Sequence, residues 1–198
     1  MVATVEQRGP ENVRVVNLNF PGGYGPFIVG ADNEPERATY GGSIYSIAPP
    51  ATPTDFVTLQ GAAGKIIRLK SAIIAGTATA AANILINLIR RSAVNTAGTQ
   101  TTVVGQPHDS SDPAASAVFK YATANPTGLG AGVTLHQARL NLAPAANGSV
   151  DRLMWQFTWQ NDKAPLLRSA SEFFAINLNG AAFPGGGALD IDLLWTEE

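Results

Sequence analysis

The chain has 198 residues, 13 Lys and Arg against 15 Asp and Glu, a formal charge of −2, and 45% hydrophobic but only 14% charged residues. At roughly 100 to 200 residues per domain it is long enough for one well-cored domain, and its charged fraction lies well under the roughly 25% usual for soluble domains. The cations are scattered, Arg90 and Arg91 being the closest pair, which excludes a phosphate-tracking basic stripe; the absence of cysteine excludes disulfides, thiolate metal sites and a cysteine nucleophile.

The first 42 residues have a texture of their own. Val16, Leu18 and Phe20 alternate with Asn17 and Asn19, and PGGYGPFIVGADNEPERATYGG follows. Gly and Pro interrupt this stretch too often for a helix, and the short alternation predicts at most one strand. Phe20, Tyr24, Phe27, Ile28 and Val29 are unusual in a disordered tail. Residues 1–42 are therefore expected to form an extended arm that becomes ordered on a surface, either a neighbouring subunit through those five residues or its own domain. No basic-then-apolar leader is seen in MVATVEQRGPENVRVVNLNF, and no window of 18 apolar residues occurs. The expectation is a chain made in the cytoplasm and free of the membrane.

From residue 43 short strands alternate with turn residues. SIYSIA and DFVTLQ flank PPATPT, and KIIRLKSAIIAGT follows a Gly-rich turn. In ANILINLIRR apolar residues occupy both parities, predicting a strand buried on much of both faces. The stretch from Asp112 reads differently. Asp112 before Pro113 has the form of an N-cap with proline at the first helical position, so AASAVFKYAT is predicted as a short helix. VTLHQARLNLA, RLMWQFTWQ, EFFAINLN and ALDIDLLWTEE complete at least seven strands, with turns at Asn147-Gly148 and Asn179-Gly180. Leu153, Trp155, Phe157 and Trp159 share one strand face, a row that reads as core rather than as a sugar-binding platform. The fold expected is all-β, a jelly-roll-like antiparallel sandwich over residues 43–198 with the arm and at most one short helix.

The polar stretch QPHDSSDPAAS, residues 106–116, is the place to look for chemistry. A serine triad assembled from His108, Asp109 and neighbouring serines would need groups that usually come from separate loops, and neither a G-x-S-x-G elbow nor a P-loop spacing at GAAGK is present. His108, Asp109 and Asp112, with His136 from a later strand, offer a nitrogen-and-carboxylate set for a metal, and Asp190, Asp192, Glu197 and Glu198 a set for calcium. In both cases ordinary loop and solvated-strand roles are preferred. No catalytic, metal or cofactor residue is assigned, and no enzyme activity is expected.

The HDSSDPAAS loop, the ANPTG segment at 124–128, the Asn-Gly turns and the terminal DIDLLWTEE strand together resemble the small β-sandwich structural proteins of tailed bacteriophage virions, over approximately Ser71 to the end. That resemblance implies a virion component of the capsid-decoration (cement) or head-fibre kind. Such a protein binds the major capsid protein or another virion protein through surfaces, as a homo-oligomer, with a trimer placed slightly ahead of a dimer and without direct nucleic-acid contact. The alternative is a receptor- or carbohydrate-binding module of a tail or fibre, using loops 106–112 or 124–131.

Overall fold

The computed structural model describes residues 37–147, 150–157 and 163–198, and in the first 36 residues the backbone of three strands. Two compact units divide the chain, Met1–Arg37 and Ala38–Glu198.

In the first unit β1 (Ala3–Arg8), β2 (Val13–Leu18) and β3 (Phe27–Val29) form an antiparallel meander, with Val5 opposite Val16 and Val15 opposite Ile28. The sequence predicted at most one strand here. Val13, Val15 and Val16 are β-branched and favour extended backbone, and β2 is paired on both of its edges. Among the five residues proposed to bind a partner, Phe27, Ile28 and Val29 form β3, whereas Phe20 and Tyr24 lie outside the described residues.

The second unit is all-β. Its strands are β4 (Thr39–Ile47), β5 (Asp55–Gln60), β6 (Ile67–Ala78), β7 (Ala82–Arg91), β8 (Thr99–Val103), β9 (Gln106–Pro107), β10 (Val118–Ala124), β11 (Gly132–Pro144), β12 (Arg152–Gln156), β13 (Leu166–Leu167), β14 (Phe173–Asn177) and β15 (Ala188–Glu197). They make one large sheet in the order β8-β10-β5-β14-β7-β11-β6-β15-β4-β9, with β12 and β13 also paired to β6. The sheet is mixed because the end of β11 runs parallel to β6, Ala143 opposite Thr77 and Pro144 opposite Ala78; the other ladders described are antiparallel. Thr39–Gly42, assigned to the arm in the sequence reading, are the first residues of β4 and pair with β15.

The sheet curls back on itself. Phe119 of β10 and Gly42 of β4 lie near opposite ends of the strand order, yet a Cβ added to Gly42 would stand 2.9 Å from the Phe119 ring and 3.2 Å from Trp195. Only glycine allows that approach. Inside the curl sit Phe56, Leu59, Ile74, Leu88, Phe174 and Trp195, each almost wholly buried. Burying one such side chain contributes roughly 1.5 to 3 kcal/mol.

The predicted helix is absent. Val118–Ala124 is β10, held between β5 and β8 with Phe119 opposite Leu59 and Val103. Phe119 and Tyr121 share a strand face, and the two ladders outweigh the modest helix propensity of the alanines. Among the described residues the helical conformation is limited to the 3-10 turn Ala145–Asn147.

Candidate functional site

The polar stretch at 106–116 is held to the fold at several points. The His108 N–H donates to Thr39 O (2.8 Å), and the Asp112 N–H donates to Asp109 O (3.1 Å), closing a turn where a helix start was expected. The Asp109 carboxylate accepts from the backbone N–H (2.8 Å) and hydroxyl (2.7 Å) of Ser111, in that order of effect holding its carboxyl below the ordinary value. Deeper in, Glu197 accepts the N–H groups of Ser116 (2.9 Å) and Ala117 (2.9 Å) and the Trp195 indole N–H (3.1 Å). Tyr40 stacks on Trp195 with ring centroids 6.1 Å apart and donates its hydroxyl to Pro113 O (3.1 Å).

This geometry separates the groups considered for metal binding. Glu197 is turned inward and occupied by three donors. Asp190 accepts the Ser46 N–H (2.6 Å), and Glu198 pairs with Arg68. His136 packs instead against Trp155 and Phe157, with centroids 6.0 and 5.1 Å apart. Among the described residues no three His, Asp or Glu side chains converge as metal ligands.

A polar centre that the sequence reading missed lies at Asp55. The carboxylate is fully buried and accepts from Arg91 Nε (2.5 Å) and the second guanidinium nitrogen (2.8 Å), from Asn95 Nδ2 (2.7 Å) and from Asn177 Nδ2 (2.7 Å). Arg91 also donates to Gly130 O (2.7 Å), whose N–H returns to Asn95 Oδ1 (3.0 Å). Register explains what this joins. Arg91 is level with Phe173 and Gln60, whereas Asn177 is level with Asp55. Residues 92–98 thus run from one end of the strands to the other before entering β8, and residues 125–131 return beside them through Thr96 N–H to Gly128 O (2.8 Å) and Ser92 N–H to Ala131 O (2.9 Å). Together they form a flap on the face opposite the core row Leu59, Phe174 and Ile176, burying Phe173 and Ala175. Asp55 pins that flap to the sheet. An isolated aspartate before an apolar strand and an arginine after another gave no sequence signal of meeting.

Surfaces remain. The strand order ends at β8, and β11 pairs with β7 along one side only until its last two residues. Beside β11 and β12 a cleft of about 530 Å³ is lined by His136, Met154, Trp155, Gln156, Phe157, Lys163 and Pro165. Trp155 is only half-buried and looks into this cleft, so the expected core row ends in a partly open aromatic wall; Trp159 lies outside the described residues. Comparison with protein-family models, curated proteins and solved structures finds no match to this chain.

Proposed function

We propose that this chain is a non-enzymatic structural subunit of a virion of the tailed-bacteriophage kind, decorating and stabilising the capsid exterior through surface contacts with the major capsid protein or another virion protein. The observation that carries this reading is strand order. Eight of the strands fall into two sets, β4-β15-β6-β12 and β5-β14-β7-β11. Numbered along the chain as one to eight, these sets run 1-8-3-6 and 2-7-4-5, the order that the double Greek key of a jelly roll would have, an architecture common in capsid and lectin domains. The curled sheet is read accordingly as a jelly-roll sandwich, with β8, β9 and β10 inserted between its fourth and fifth strands.

The low charge supports the same reading, because a surface with few charges loses little hydration energy when covered. Repetition over a capsid lattice then turns a modest contact per copy into firm retention. The test is co-sedimentation of the purified chain with empty heads assembled from a tailed-phage major capsid protein. Saturable binding at a fixed number of copies per capsomer is expected; a chain that stays in the supernatant at all concentrations overturns the reading. Removing residues 1–37, the first unit, tests the arm's part, since undiminished binding assigns the contact to the second unit alone.

A second reading, a carbohydrate-binding module of a tail or fibre, is favoured by the Trp155 and His136 cleft. Stacking of a sugar ring on Trp155 predicts glycan binding that the Trp155→Ala variant loses, measured by titration calorimetry against surface glycans of the host.

A further inference from the structure

We infer that the free edge of β8 is a self-association site, where the Thr99–Val103 strand of a second copy adds antiparallel across a two-fold axis. A sheet edge exposes a row of unpaired N–H and C=O groups that another strand can satisfy, and proteins normally blunt such edges with charge, proline, bulges or very short length.

Other edges in the second unit carry those devices: β4, which β9 covers only at Tyr40 and Gly41, has a register shift against β15 between Leu189 and Ile191. β9 is two residues long and includes Pro107, which has no N–H. β11 is broken by a register shift between Thr134 and His136 and carries Arg139. β12 begins with the charged Arg152. β8 differs: its sequence is TQTTV, without charge or proline, and the register shift beside it falls on β10, between Ala122 and Ala124. Thr99, Thr101 and Thr102 are exposed, and Val104, immediately after the strand, is 70% exposed. On its other side β8 has β10 as its ladder partner, and among the described residues no second ladder is present.

The occupant follows from charge and residue type. Antiparallel pairing of β8 with itself, centred on Thr101, sets Thr101 opposite Thr101, Gln100 opposite Thr102 and Thr99 opposite Val103. No like charges meet, and β-branched threonines opposite one another are favourable cross-strand pairs. The contact is isologous, as two-fold interfaces are, and it joins two sheets into one. Five facing pairs bury far less than the roughly 1,200 to 2,000 Å² of a stable complex, so the isolated dimer is weak and forms at high micromolar concentration.

Sedimentation velocity on the full chain, across a hundredfold concentration range, tests this. The wild-type weight-average mass is expected to rise from 20.6 kDa toward twice that value. Thr101→Lys and Thr101→Glu place like charges at the two-fold axis and are each expected to stay monomeric with unchanged circular dichroism and melting temperature. An equimolar mixture of the two is expected to recover association at least as strong as wild type. A wild-type chain that remains monomeric, or an oligomer that Thr101→Lys leaves intact, overturns the inference, as does a mixture that stays monomeric. The assay contains no capsid, so its outcome is independent of head co-sedimentation: either result can fail while the other stands.

Discussion

Asp55 and Arg91 carry the greatest sensitivity to a single substitution. Truncating Asp55 to alanine leaves a guanidinium and two amide groups buried without their acceptor, and breaking a buried pair from one side costs about 3 to 5 kcal/mol. Urea unfolding of Asp55→Ala is expected to show that loss, or no cooperative transition at all, whereas Asp109→Ala on the exposed turn is expected to cost little. Tyr40 makes a prediction in pH. Burial, then the charges of Glu197 and Asp112, raise its hydroxyl above the ordinary value of 10.0. A group whose folded value is raised contributes stability that is complete below the unfolded value and is lost as pH climbs through the folded one. Wild type is therefore expected to lose stability relative to Tyr40→Phe above pH 10, and absorbance at the phenolate band is expected to show a late-titrating tyrosine that the variant lacks. In the sequence, Asp109 and Ser111 were legible as loop residues bonding locally, because their partners are two positions away. Asp55 and Glu197 were not, because their partners lie as far as 122 and 81 positions off and polar residues at strand ends look like ordinary boundary residues.

Among elements, the strands with clean alternation were readable and the inserted ones were not. In ALDIDLLWTEE, Leu189, Ile191, Leu193 and Trp195 are buried as their spacing required, and ANILINLIRR is the strand its mixed parity implied. β10 was misread because Asp-Pro followed by alanines imitates a helix start, while the evidence for a strand lay in two distant ladders. β8 was missed because threonine and glutamine show no apolar period. The core contact between β4 and β10 gives a further prediction. Gly42→Val forces a branched side chain into the Phe119 and Trp195 rings, and overpacking of this kind costs about 1 to 3 kcal/mol. Thermal unfolding is expected to fall accordingly, and Phe119→Leu in the same chain to restore part of the loss; additive losses in the double variant would contradict direct contact.

For the whole molecule, the sequence established an all-β chain with little surface charge but could not supply strand order, which depends on pairings between distant segments. The all-antiparallel expectation gave way at a single place, where β11 crosses to run beside β6. Association is also a whole-molecule property. Edge pairing at β8 closes a pair and cannot by itself make a ring of three, so a trimer in solution would require another surface. Light scattering on the wild-type chain and on one lacking residues 1–37 separates the two sources: a mass that depends on the first unit assigns association there, and an unchanged mass assigns it to the second unit.

The position of β15 has a consequence for how the chain acquires its fold. The final strand of the sequence sits between β4 and β6, with Thr196 opposite Thr39 and Arg68, and its Trp195 fills the space beside Gly42 and Gly105. A chain synthesised only as far as Asn177 has two strand edges exposed and a vacancy in its interior. Vectorial folding is therefore blocked until the last strand arrives, and the closing step joins segments 142 to 157 residues apart at β4 and 111 to 130 apart at β6, the kind of long-range closure that folds slowly. During that interval the edges of β4 and β6 are open to other chains, so high-level synthesis is expected to favour inclusion bodies, and slower synthesis at lower temperature to recover soluble protein.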